Sequence, residues 1–171
     1  MGKFQLDSTD IFILNLLQYD GQKVQKELAG LLNISESSIN QRIKKLKNAN
    51  YIKSTVAILN HEKIKPCIAF IEITLKSNTA QNLQDFKETI KNYVEVRFCY
   101  HLTGSVDFLL KVLTKDLYTH HEFIQKKIRK IPYIEKMNAM LMLSEDKNET
   151  ALPLNLLMGL FMLINSSIFM D

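Results

Sequence analysis

Apolar positions along the chain recur first at helical spacing and then switch to alternation. Leu6, Ile13, Leu14 and Leu17 form a stripe over residues 7–19, where Asp7 can cap a helix and Asp10 completes an approximate capping box. Asp20-Gly21 is a turn dipeptide that ends this helix. The stretch 22–51 predicts two helices meeting at a tight turn. The first carries Glu27-Leu28-Ala29 and Leu31-Leu32, and Asn33 tolerates the left-handed geometry that closes it. Ser35 can cap the second, in which Ile39, Ile43 and Leu46 line one face at i, i+4 and i+7. Asn50 stands where a residue just beyond the helix end adopts left-handed backbone.

Residues 52–60 read as a strand leaving this helical unit, and the polar run 61–66 ends in Pro66, which marks a boundary. From Cys67 the period becomes 2: Cys67, Ala69, Ile71, Ile73 and Leu75 alternate with Glu72 and Thr74. Helical spacing returns over 80–93 at Leu83, Phe86, Ile90 and Tyr93. Strands follow at 94–102 and 106–113, joined by Thr103-Gly104-Ser105. A helix marked by Leu117, Ile124, Ile128 and Ile131 stops at Pro132, and 133–143 is a last strand. The fold class is α+β. An N-terminal helix-turn-helix is followed by a βαββαβ order, the ferredoxin-like arrangement with two helices on one face of an antiparallel sheet. Ile68, Phe70, Leu109 and Leu113 fall on the face left uncovered, and such a face implies self-association. The domains are drawn at 1–53, a linking strand and hinge at 54–66, the sheet domain at 67–154, and an extension at 155–171.

The side of the 36–48 helix opposite its aliphatic stripe changes this picture. At about 100° per residue, Ser37, Gln41, Lys44 and Asn48 lie diametrically opposite, with Asn40 and Lys45 on the flanks. Such a face can be an ordinary solvated one. It also fits a recognition helix whose amides and hydroxyls read base edges while lysines meet phosphates. Ser35, Ser37, Ser38, Asn40, Gln41, Arg42, Lys44, Lys45 and Lys47 are therefore the candidate DNA-binding residues. Arg42 lies only about 60° from the buried stripe and either meets phosphate or braces the helix.

Charge favours the DNA reading. The chain of 171 residues has a net charge of +4 and a pI near 9.0. Residues 1–53 hold eight Lys/Arg against five Asp/Glu, and from Glu36 to Lys53 five cations face one anion. Positive charge gathered around one helix suits a polyanionic partner. A hydrophobic content of 46% with 23% charged residues is ordinary globular composition. Cys67 and Cys99 lack C-x-x-C spacing and are expected as buried, reduced thiols on strands. His120 and His121 are adjacent and cannot chelate together, and His121 is expected to be buried or at an interface. Lys126, Lys127 and Arg129 read as a solvated helix face. No phosphate loop or nucleophile elbow is present, and no metal or cofactor is expected. The N-terminus lacks an apolar signal core, which gives a cytoplasmic reading.

Taken together, five segments resemble the leucine-responsive/AsnC family of bacterial and archaeal regulators. They are Leu6 to Leu14 (L-D-S-T-D-I-F-I-L), Asp20-Gly21 followed by Glu27-Leu28-Ala29, and Leu32 to Leu46 (L-N-I-S-E-S-S-I-N-Q-R-I-K-K-L). Thr103 to Leu110 (T-G-S-V-D-F-L-L) and Ala151 to Leu154 complete the match, which spans about residues 4–154. The resemblance implies a winged helix-turn-helix transcription regulator that forms dimers and often octamers, and binds double-stranded DNA. It also implies an amino-acid effector held between subunits by the loop at Gly104, Ser105, Val106 and Asp107, with His101 and Thr103 beside it. Glycine admits close backbone approach, exposed N–H groups can take a carboxylate, and Asp107 can take an ammonium. Alternatively, Gly104 and Asp107 simply serve a hairpin.

Three departures stand out. Gln22 and Val24 replace the family's usual Arg and capping Ser or Thr, and Asn50 replaces a glycine. The third is the tail: 151–170 has no charged residue, yet Pro153 and the polar positions at 155 and 165–167 leave an apolar run of only about 11 residues, too short to span a membrane. A packed helix or a short apolar extension both fit it. Two other functions remain open: a low-specificity DNA-organising protein of the same architecture, and an enzyme like the sirohaem decarboxylases that resemble this family.

Overall fold

The computed structural model describes residues 5–157, and the chain divides into two compact units. One comprises residues up to 58 together with those from 148 onward; the other is residues 59–147. The sequence pattern places all of 67–154 in the sheet domain, whereas the stretch after 147 belongs with the helices.

The helical unit is built from α1 (Ser8–Tyr19), α2 (Gln25–Leu32) and α3 (Glu36–Asn48). Asp7 and Asp10 form the expected reciprocal capping box: the Asp10 N–H donates to Asp7 Oδ1 at 2.8 Å, and the Asp7 N–H donates to Asp10 Oδ2 at 3.3 Å. Val24 gives α2 no side-chain cap, as its apolar side chain dictates. Asn33 (φ 53°) and Asn50 (φ 60°) take the left-handed conformations that close α2 and follow α3. Ile13, Leu28, Ile39 and Leu46 are fully buried in this core. Truncating one of them to Ala would cost about 2–5 kcal/mol. Leu31, expected on the apolar run, is instead exposed.

Residues 52–60, expected as a strand, have no secondary structure. A strand needs a partner, and no described strand of the chain pairs with this one. Gly21 is required by the path of this segment, since a Cβ there would stand 2.7 Å from the Thr55 methyl. The unit is completed from the far end of the sequence. The Gln18 side chain accepts the Leu152 N–H at 2.6 Å and donates to the Leu152 carbonyl at 3.2 Å, satisfying both backbone groups of one residue as a paired strand would. Asn15 donates to Asn155 at 3.3 Å, and Leu154 at the start of the short α7 (Leu154–Leu157) packs on the core. The packed helix or apolar extension expected over 158–171 lies outside the described residues.

After α4 (His61–Ile64), the second unit runs β1 (Cys67–Leu75), α5 (Ala80–Lys91), β2 (Val96–His101), β3 (Phe108–Thr114), α6 (Leu117–Lys126), a 3-10 turn (Ile128–Lys130) and β4 (Ile134–Leu141). The sheet order is β2-β3-β1-β4 with every pairing antiparallel, the ferredoxin-like topology expected. Register follows the alternation: Ala69, Ile71 and Ile73 oppose Val112, Leu110 and Phe108 on the face the helices cover. Phe86 and Ile90 of α5, with Phe123, Ile124 and Ile128, close the core over them. Phe86 stacks on Phe108 at 4.4 Å between ring centroids.

Ile68, Phe70, Leu109 and Leu113 fall on the opposite, helix-free face, as the sequence indicates. Register adds Phe98 and Tyr100 of β2 and Met140 of β4 to it. Phe98 and Tyr100 stack at 5.9 Å, and the Lys111 ammonium sits 5.9 Å from the Phe70 ring and 6.0 Å from that of Phe98.

Several side chains depart from expectation. His120, not His121, is buried, because the inward stripe of α6 is His120, Phe123 and Ile124. Its Nδ1 has no partner among the described residues, and burial, aided by the nearby His121, lowers its pKa. Cys99 is exposed rather than buried because β2 is an edge strand, although partial burial still pushes its thiol pKa up against the effect of Lys87. Lys127 is no solvated cation: it bridges to Glu95 at 2.7 Å and lies over the Tyr93 ring at 5.3 Å. Among the described residues no helix is long and apolar enough to cross a membrane, and no His, Cys, Asp or Glu cluster could hold a metal.

Candidate DNA and effector interfaces

The α3 helix is fixed by its inner face. Ile39 and Leu46 are fully buried, Ile43 packs at the core edge, and Ser35 caps the N-terminus by accepting the Ser38 N–H at 3.2 Å. Glu36 in the first turn and Lys45 and Lys47 in the last complement the helix dipole. Ser37, Asn40, Gln41, Lys44, Lys45, Lys47 and Asn48 are all exposed, so the outward face is the polar one the sequence outlines. The Ser35 and Ser37 hydroxyls lie 3.0 Å apart. Ser35 and the half-buried Ser38 serve the cap more than the open face.

Arg42 turns inward. Its Nη1 donates to Asp7 Oδ2 and to Asp10 Oδ1, each at 2.7 Å, tying α3 to the capped end of α1. Of the two roles left open for it, the brace is the one the structure shows, and Arg42 leaves the set of outward-facing DNA candidates. Burial works to raise the Asp7 carboxyl, but the Arg42 hydrogen bond, the Asp10 N–H and the guanidinium charge outweigh it and hold it below the ordinary range.

In the second unit Thr103, Gly104 and Ser105 are exposed at the tip of the β2–β3 hairpin, and Gly104 sits at φ 125°, where a side chain is strained. Among the described residues, the N–H groups of 103–106 have no hydrogen-bond partner, so the loop offers free donors. Asp107 does not share that freedom. Its Oδ2 accepts the Leu75 N–H at 2.7 Å and its Oδ1 accepts from the Asn78 amide at 2.8 Å, clamping the end of β1 to the hairpin. Beside the ammonium-accepting role expected of it, Asp107 thus has a structural one as a clamp. His101 stacks on Phe108 at 4.8 Å, on the helix-facing side of the sheet. Alternation alone would have identified Phe98 and Tyr100, which share a face at i, i+2. The Gln18 clamp has no local sequence signal.

Residues 6–53 match the winged helix-turn-helix DNA-binding family, and residues 68–152 match the Lrp/AsnC ligand binding domain. The HTH-type transcriptional regulator FL11 of Pyrococcus abyssi is 31% identical over 153 residues, covering 89% of this chain and 99% of that protein. This chain belongs to the Lrp/AsnC family. A Neisseria meningitidis transcriptional regulator solved as its L-Met complex superposes with a TM-score of 0.82 at 30% identity, covering 90% of this chain and 99% of that one. An AsnC-family transcriptional regulator from Agrobacterium tumefaciens gives 0.80 at 28%, covering 88% and 99%. The chain is thus a DNA-binding transcriptional regulator of the Lrp/AsnC type, with a helix-turn-helix unit and a ligand-binding unit.

The Arg42 brace has a measurable consequence. Arg42→Ala should lower stability to urea by about 1.5–3 kcal/mol, the worth of a hydrogen bond to a charged group. Because the Asp7 carboxyl is held low, its contribution is complete above about pH 4 and is lost as the carboxylate protonates below that. The variant should lack this acid arm of the stability profile, and an unchanged profile would contradict the brace.

Proposed function

We propose that this Lrp/AsnC protein is a sequence-specific regulator that acts as a dimer or larger oligomer and is tuned by an amino acid. The observation that carries the DNA part is the two-sidedness of α3. Three aliphatics anchor it while Ser37, Gln41, Lys44 and Asn48 remain outward, free of the core. Amide groups at Gln41 suit base edges in the major groove, and Lys44, Lys45 and Lys47 suit phosphates. Self-association is supported by the helix-free face, where Phe70, Phe98, Tyr100, Leu109 and Met140 form an apolar surface. A two-fold dimer would present two recognition helices to paired half-sites. The effector part is supported by the free N–H groups of 103–106, which fit a carboxylate, and by the relative solved with L-Met.

Gln41→Ala should weaken binding at a preferred operator and blur base preference there. Lys45→Ala should weaken binding to all sequences alike and reduce the salt slope by about 1. Fluorescence anisotropy on specific and scrambled duplexes at several salt concentrations distinguishes the two, and identical profiles would refute the division of roles. A weak preference throughout, with a steep salt slope, would favour the DNA-organising reading.

Tyr100→Asp should place a charge in the proposed interface and reduce the assembly to monomer in light scattering after gel filtration. An unchanged mass would remove this face from consideration.

A thermal-shift screen of the amino acids, L-methionine included, should find at least one stabiliser through linkage to the native state. Gly104→Val should abolish that shift by distorting the loop, while Asp107→Ala should lower the baseline melting temperature itself. No stabiliser among the amino acids would sink the effector reading.

A further inference from the structure

A groove in the helical unit shares Lys47 with the outward set on α3, but its cavity has no part in the functions above. Its floor is the open edge of the core: Leu14 and Leu17 of α1, Ile43 of α3, and Leu154 of the returning chain. Residues 51–56 and Ile58 form one wall, and Thr150 and Leu152 the other. The cavity is about 750 Å³, within the range of small-molecule sites. Gly21 lets the wall at Thr55 approach α1, and the Gln18–Leu152 hydrogen bonds hold the opposite wall in place.

The rim is predominantly basic, with three lysines against one aspartate. Lys23, Lys47 and Lys53 line it, and none has a carboxylate partner among the described residues. The acid present, Asp20, accepts the Gln22 N–H at 3.0 Å. An apolar trough ringed by three lysines selects for one chemistry. A cation would meet like charge, and a neutral apolar molecule would leave the lysines unanswered. Duplex DNA is polyanionic but has no flexible apolar segment to enter the trough.

We propose that this groove binds an aliphatic carboxylate, a medium-length alkyl chain lying against Leu14, Leu17, Ile43 and Ile52 with its headgroup among the three lysines. Lys47 belongs to both this rim and the outward set on α3, so an occupied groove neutralises a cation that DNA would otherwise use. That coupling rests on the DNA reading above; the ligand site does not. By reciprocity, the carboxylate weakens DNA binding by the factor by which DNA weakens the carboxylate.

Titration calorimetry of the full chain with sodium decanoate, kept below its micellar range, tests the site without DNA. One saturable site is expected, weakened about tenfold by Lys53→Gln or Lys47→Gln, the loss of one charged contact. Ile58→Gln changes a wall residue that is 70% exposed, so the fold survives and affinity should still drop. Decyltrimethylammonium should not bind. Absence of saturable heat, equal binding of the cation, or indifference to the lysine changes would each overturn the proposal. So would a silent full chain whose version ending at Leu157 binds decanoate, which would assign the groove to residues 158–171. For the coupling, decanoate should raise the apparent DNA Kd in anisotropy and lose that effect in Lys47→Gln. Calorimetric binding with unchanged DNA affinity would keep the site and overturn the coupling alone.

Discussion

The contact on which the helical unit turns is Arg42 against Asp7 and Asp10. One guanidinium nitrogen reaches both carboxylates of the capping box at 2.7 Å, so the cap of α1 and the orientation of α3 are set by the same three side chains. Asp10 is 5% exposed, and a polar group that deep costs free energy unless it is hydrogen-bonded, as Asp10 is by Arg42. The aliphatic stripe keeps α3 on the core but leaves rotation about its own axis loosely specified, since packing is non-directional. A charged pair near the middle of the helix supplies the direction, and the reading face is defined by what points away from it.

The sheet unit solves a different problem. Two helices cover one face of a four-stranded antiparallel sheet, and among the described residues no helix of the sheet's core cluster covers the other. Its aromatic and aliphatic side chains are partly satisfied by one another, through the Phe98–Tyr100 stack and the Lys111 ammonium held near Phe70 and Phe98. Lys111 also reaches Glu145 at 3.6 Å. A lysine amid an apolar surface, already paired within its own chain, can be buried in an interface at far lower cost than a free one.

Most of the fold was legible because it rests on periodicity. The change from period 3.6 to period 2 located every strand of the sheet to within a few residues, and the outward face of α3 followed from angle alone. What was not legible depends on partners distant in sequence. Arg42 could be narrowed to two roles but not to one, because its acids lie 35 and 32 residues away. Asp107 looks like a free carboxylate in its loop but already accepts from Leu75 and Asn78, on the far side of α5 in sequence. The 52–60 segment has strand composition, but composition cannot supply the second strand. Residues after 147 look like a continuation of the sheet domain and instead close the helical unit, through a glutamine on α1 that pattern reading treats as surface.

This last feature bears on how the two ends of the chain constrain each other. The peptide at Leu152 is bonded by Gln18 at both its N–H and its carbonyl, and Leu154 adds an apolar side chain to the same helical core. A chain that passes through the ligand-binding unit and then returns to α1 is tied to the helical unit twice, once before the sheet and once after it. Closing a long loop costs entropy only logarithmically in its length, so a second attachment can be held by a few well-made contacts. Those contacts fall on the face of α1 that also receives Leu17 and the groove floor, not on its capped end. The α1 helix therefore carries two separate duties, orienting α3 through Asp7 and Asp10 and anchoring the returning chain through Asn15 and Gln18. The helix that reads nothing is the one on which both the reading helix and the end of the chain depend.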